Sequence, residues 1–194
     1  DYRPLQSTSN AQALGPGARY EIDATIADIY LVSNSNPESI VGRPTIYFVI
    51  DVFSRLVAGF YIGFESPSYL AAIQALNIAM TDKVKYCAEY GISIQPEDWP
   101  AVGLPDALLA DRGELLGYQI EALEKTFAVR LENAPARRGD AKGIVEQAFN
   151  TYQAYFKKEG KGKGVVDGST VKKAGGRDYR HDAVIPPLNK CSIK

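Results

Sequence analysis

The chain has 194 residues, 45% of them apolar and 23% charged, which suits one soluble domain with a sizeable core. No run of 18 or more apolar residues occurs, so no membrane-spanning helix is expected, and no signal-peptide pattern is seen at the start of the sequence. The formal net charge of −1 hides an asymmetry: residues 157–194 hold ten Lys or Arg against four Asp or Glu, and the rest is acidic.

Residues 1–18 are polar, with Pro4, Gly15, Pro16 and Gly17, and read as a flexible lead-in. The first residue is Asp, which reads as a piece cut from a longer protein. Residues 19–33 alternate in part: Ile22, Ala24 and Ile26 face one way, and Glu21, Asp23 and Thr25 the other, as in a strand. Residues 34–44 read as a loop. Residues 45–52 and 56–64 are rich in β-branched and aromatic residues and read as a hairpin closed by Ser54 and Arg55. Ser66 and Pro67 then predict a helix start, and Tyr69, Ile73, Leu76, Met80, Val84 and Cys87 recur at helical steps up to Gly91. A loop over 92–105 carries the single tryptophan, Trp99. Residues 106–110 read as a buried strand ended by Asp111, Arg112 and Gly113. Leu116, Ile120 and Leu123 mark a short helix, and residues 128–131 another strand. Ile144, Val145, Ala148, Phe149, Tyr152, Tyr155 and Phe156 trace one wide apolar helix face. Residues 159–194 are rich in Gly and Lys and read as a basic linker or arm towards a further domain. Together the elements predict an α/β core over residues 19–158.

Three acids stand out by position. Asp is depleted in strands, yet Asp23 falls inside a good one. Asp111 follows an apolar run, at the strand end where α/β sheets collect ligands. Glu146 sits in a buried-looking helix, about 200° from Ile144 on a wheel of about 100° per residue. It shares a polar seam with Lys142, Asn150 and Gln153, a pattern that an ordinary boundary seam fits as well. Carboxylates that converge repel one another, and divalent cations keep them charged. Oxygen ligands point to a pair of Mg²⁺ ions, with Mn²⁺ able to substitute, rather than to zinc. Any three of the 23 acids could be chosen, so spacing alone decides nothing. One histidine, His181, and two distant cysteines, Cys87 and Cys191, make neither a zinc module nor a disulfide scaffold, and the thiols read as a reducing, cytoplasmic compartment. Asp51 and Asp28 are the nearest decoys, Asp51 as a turn former by the hairpin.

At these residues the chain resembles the catalytic core of the DDE transposase and retroviral integrase superfamily. EIDAT matches its first acid with Asp23, LLADRGE its second with Asp111, and KGIVEQAF its glutamate with Glu146. Asp111 and Glu146 stand 35 positions apart, as is typical there, and VIDVFSRLVAGF is similar to the family's hairpin. Arg112 replaces the Asn common in many integrases. The 88 positions from Asp23 to Asp111 and the insertion around Trp99 are most similar to Mu-like and TnsB-type bacterial transposases.

The resemblance implies a ribonuclease-H-like fold, a five-stranded mixed sheet flanked by helices. It implies metal-dependent cleavage at transposon ends to free a 3′-hydroxyl, then transfer of that end into target DNA. Asp23 would bridge two metals, with Asp111 and Glu146 each holding one. Arg137, Arg138, Lys142, Asn150 and Gln153 would contact DNA. Implied partners are transposon and target DNA, further copies of the protein on DNA, an endonuclease subunit and an ATPase regulator, in the bacterial cytoplasm at the nucleoid and away from membranes. The rivals are a ribonuclease-H-like nuclease that only hydrolyses and a non-catalytic DNA-binding or assembly module.

Overall fold

Strand β1 (Tyr20–Ile26) keeps the expected alternation, with Ile22 and Ala24 entering one apolar layer and Glu21 standing on the other face. The computed structural model describes residues 13–110, 125, 128–133, 143–166 and 179–187. The chain continues through β2 (Leu31–Val32), β3 (Ile40–Gly42), β4 (Thr45–Asp51), β5 (Val57–Gly63), helices α1 (Tyr69–Met80) and α2 (Lys83–Ala88), β6 (Ala107–Ala110), β7 (Arg130–Asn133) and helix α3 (Gly143–Glu159). The main sheet has the order β5-β4-β1-β6-β7. β1 pairs with β4, and β4 with β5, antiparallel, whereas β6 joins β1, and β7 joins β6, parallel. This is the five-stranded mixed sheet expected. The short helix predicted at Leu116, Ile120 and Leu123 lies outside the described residues.

The strand predicted over 19–33 is two strands. Past Ile26 the Ala27 N–H turns to Pro44 O, and the Arg43 guanidinium takes Ala27 O and the Asp28 carboxylate. Leu31 and Val32 then pair with residues 40–42 in a separate two-stranded sheet, inside the region read as loop. Within the stretch read as an arm, Val165 and Val166 are buried and bonded to this same segment, Tyr30 N–H to Gly164 O and Val166 N–H to Asp28 O. Gly164, at φ +86°, has the Tyr30 carbonyl and Ala183 where a Cβ would stand, so only glycine fits.

The long helix predicted from Ser66 starts later and breaks once. Ser68, not Ser66, is its cap, with Oγ accepting from Ala71 N–H, and Tyr47 Oη accepts from Ser68 N–H. The buried face of α1 is Ala71, Ala72, Ala75, Leu76 and Ala79; of the predicted stripe Leu76 and Cys87 are buried and Tyr69 and Ile73 pack at the edge of the core, whereas Met80 is exposed. The break at residues 81–82 has two satisfied ends. Asp82 Oδ1 accepts from Val84 and Lys85 N–H to open α2. The buried Lys83 ammonium donates to the carbonyls of Ile78, Ala79 and Thr81 at 2.7, 3.2 and 3.0 Å, closing α1. It also lies 5.2 Å from the Trp99 ring centre.

Burial pulls the Lys83 amine from 10.5 down to about 8, against the charge of Asp82. Between those values the unfolded chain binds the proton that the folded chain has lost, so stability rises with pH across that window. Lys83→Met is expected to lower stability by about 1–2 kcal/mol at pH 7, from the weakened helix end. The deficit relative to the wild type should widen between pH 8 and 10, read from urea midpoints. A constant gap would count against a buried, depressed lysine.

Candidate active site

The two faces of the sheet carry different helices. Tyr20, Ile22, Tyr47, Val49 and Ala58 pack under α1, while Ile46, Phe48, Ile50 and Val52 pack with Ile144, Val145 and Phe149 of α3. Asp23 is the register partner of Phe48 and Glu21 that of Ile50, so both acids of β1 stand on the α3 face. Phe48 fixes the distance between the layers. Its ring stacks on Phe149 with centres 5.0 Å apart and meets Tyr152 at 4.8 Å.

Glu21 joins the two layers directly. It is fully buried, and its Oε2 accepts from Val145 N–H at 3.1 Å, in the first turn of α3. The next residue along the helix is Glu146, exposed and also in that turn. Asp23 is half-buried, on the same strand and face as Glu21. Asp23 and the helix turn that carries Glu146 are therefore on the same face of the sheet.

Burial raises the Glu21 carboxyl above its ordinary 4.5, against the Val145 N–H and the charges of Arg19 and Arg55, which lower it. A raised acid keeps its proton in the folded state after the unfolded state has released it. The stability this contributes is complete below pH 4.5 and declines as pH rises towards the folded value. Glu21→Gln is expected to flatten that decline in urea midpoints taken from pH 4.5 to 7. A slope identical to the wild type would show that folding does not raise the Glu21 carboxyl.

Asp111, Arg137, Arg138 and Lys142 lie outside the described residues. Asp111 follows directly on Ala110, the last residue of β6. On α3, Asn150 is exposed and Gln153 half-buried. Both decoys have structural work. Asp51 Oδ1 accepts from Gly17 N–H and Oδ2 from the Ser54 amide, closing the turn of the hairpin, and Asp28 is paired with Arg43 and Lys157 at 2.5 and 3.3 Å. Among the described residues no three of His, Cys, Asp and Glu form a metal-binding group, and no helix is long and apolar enough to cross a membrane. Alternation placed Glu21 on the Asp23 face, but nothing in the sequence disclosed its bond to α3.

An apolar groove of about 840 Å³ opens on this face towards β5, lined by Phe48, Phe60, Trp99, Tyr152, Tyr155 and Phe156 among others. Neither Asp23 nor Glu146 is on its wall. Its lining is mostly apolar, with Arg55, Asp98, Gln147 and Thr151 among its polar side chains.

Residues 21–162 match the family of the TnsB C-terminal domain. The chain is 61% identical, over 183 residues, to the transposon Tn7 transposition protein TnsB of Escherichia coli, covering 94% of this chain and 26% of that protein. It is 22% identical over 142 residues to the transposase for transposon Tn552 of Staphylococcus aureus, covering 73% and 27%. The chain thus spans about a quarter of the length of these relatives. Among solved structures, a chain of the simian T-cell lymphotropic virus intasome, in complex with PP2A regulatory subunit B56 gamma, superposes with a TM-score of 0.50 at 15% identity, covering 77% of this chain and 45% of that one. That likeness, with the sheet order above, makes the fold ribonuclease-H-like.

Proposed function

We propose, for a chain that belongs to the TnsB C-terminal domain family within the DDE transposases and integrases, that it is the catalytic core of a DNA transposase, cleaving at transposon ends and joining the freed 3′-hydroxyl to target DNA. The observation that carries this reading is the shared face. Asp23 on the central strand and Glu146 in the first turn of α3 stand on one side of the sheet, joined through the Glu21–Val145 hydrogen bond. Asp111 follows in sequence on Ala110, the last residue of β6, the strand beside β1, and this is the support for Asp111 as the third acid.

The donors are hard carboxylate oxygens, one half-buried and one exposed, which fits a small divalent cation entering from solvent. Asp23, Asp111 and Glu146 would hold a pair of Mg²⁺ or Mn²⁺ ions, which supply charge neutralisation and a clamp on the attacking and leaving oxygens of an in-line displacement. The protein's own contribution is placement. Strand β1, the middle strand of the sheet, would fix Asp23, and α3 would carry Glu146 towards it. Arg137, Arg138 and Lys142 would draw the phosphate backbone towards α3 by charge, and Asn150 and Gln153 would add polar contacts along the same helix. Water and the 3′-hydroxyl would be successive nucleophiles at one site, with no covalent protein–DNA intermediate. In the whole protein we propose assembly of several copies on transposon and target DNA, with an endonuclease subunit and an ATPase regulator as partners, in the bacterial cytoplasm.

The test is joining of a pre-cut transposon end to target DNA by the full-length protein with Mg²⁺ or Mn²⁺. Joined product is the expected result. Hydrolysis of an RNA–DNA hybrid without any joining would favour a nuclease, and DNA binding with neither activity would favour an assembly module.

A further inference from the structure

A buried acid that the proposed chemistry does not use links β1 to α3 by a directed polar contact. Glu21 is 0% exposed, and Oε2 accepts from Val145 N–H across 124 residues of sequence. Among the described residues its other oxygen, Oε1, is buried without a well-formed hydrogen bond, though the Ile144 amide also favours the carboxylate. Leaving half of a carboxyl group unmatched in the interior opposes folding, and an apolar side chain would avoid that. The position of Glu21 suggests what the carboxyl contributes. It sits two residues from Asp23 on the same face of one strand, about 7 Å along it, and it holds the residue next to Glu146. We propose that Glu21 is a positioning residue, whose carboxyl group fixes the first turn of α3 on β1 and so sets the separation of Asp23 and Glu146. The inference rests on the reading of those two acids as catalytic.

The other contacts of α3 cannot do this alone. Ile144, Val145 and Phe149 bury apolar surface on Ile46, Phe48 and Ile50, and the part-exposed Lys157–Asp28 ion pair lies about three turns away, at the far end of the helix. Such burial attracts without direction and tolerates small slides and rotations of a helix. A slip of one residue turns a helix by about 100° and moves it about 1.5 Å, enough to take Glu146 out of reach of a ligand shared with Asp23. The Val145 N–H belongs to the first turn, where helix amides have no partner within the helix. A single acceptor on β1 therefore fixes both the rotation and the axial position of the turn. Burial strengthens the bond, since no water competes for it.

The test uses the full-length protein, with Glu21→Leu, which fills similar volume without an acceptor, and Glu21→Gln, which keeps one. Three readouts are taken: joining of a pre-cut end, affinity for transposon-end DNA, and amide exchange in residues 144–147. Because a displacement of about 1 Å at a reacting centre can cost about a hundredfold, joining by Glu21→Leu is expected to fall by about that factor. Its DNA affinity should stay within about threefold of wild type, and exchange at Val145 should speed at least about tenfold while β4 stays protected. Glu21→Gln should restore joining to within about threefold and protection at Val145, since its amide oxygen still accepts. Should the leucine variant not fold, Glu21→Ala takes its place. Wild-type joining by the leucine variant, or lost joining with unchanged exchange at Val145, would overturn the proposal, as would a glutamine variant as impaired as leucine. Asp23→Asn, run alongside, separates the two readings. If it still joins DNA, the catalytic assignment fails and this inference with it; if it is inactive while Glu21→Leu is not, only the positioning role fails.

Discussion

Asp23→Asn in the full-length protein is expected to lower strand joining by at least about a thousandfold, or about 4 kcal/mol of barrier, with little change in stability or DNA binding. The substitution keeps the shape of the side chain and removes the charge. Asp23 is half-buried in the middle of β1, where its backbone is held in register with Phe48 of β4. Glu146→Gln should behave alike: the residue is exposed, and the helix loses only the attraction of an acidic side chain to its N-terminus, about 0.3–1 kcal/mol. Asp111→Asn completes the series. Thermal unfolding, end binding and joining measured on the same preparations separate the cases. A variant that joins DNA at the wild-type rate takes its residue out of the site, and one that loses joining only in step with its melting temperature shows damage to the fold rather than to the chemistry.

The parts of the fold legible in the sequence were those where one residue type serves one face. The hairpin of residues 45–51 and 57–63 is nearly continuous β-branched and aromatic sequence because β4 is covered on both sides. The alternation of β1 separated Ile22 from Asp23, and the helix of Glu146 was traced by its apolar stripe. What was not legible depended on partners distant in sequence. The break between α1 and α2 is held by Lys83, which reads as an ordinary surface lysine until three carbonyls are found around its ammonium. The role of Glu21 depends on an amide 124 residues away. The face of α1 was legible only in part: the periodic stripe found Leu76, Tyr69 and Ile73 but included the exposed Met80 and passed over Ala71, Ala72, Ala75 and Ala79, where the contact with the sheet selects for smallness.

That contact carries the largest expected effect on stability. A Cβ at Gly59 would stand 2.2 Å from the Ala75 carbonyl oxygen and 2.7 Å from the Ala79 amide nitrogen, both backbone atoms of α1. A rotamer change cannot relieve such an overlap, and neither can trimming a helix side chain, since Ala75→Gly leaves the oxygen where it is. The helix must move off the strand, and with it the layer in which Ala71, Ala72, Ala75 and Ala79 lie against β4 and β5. Gly59→Val is therefore expected to destabilise the chain by at least about 3 kcal/mol, above the usual 1–3 for overpacking, and to lower the melting temperature by about 6–12 °C. Gly59→Ala should show the same effect at smaller size. Because α1 and α3 lie on opposite faces, the acids should keep their arrangement in molecules that remain folded. At a temperature well below the new midpoint, joining per folded molecule by full-length Gly59→Val should match the wild type. A variant that melts within about 2 °C of wild type would mean that helix and strand are not in this close contact.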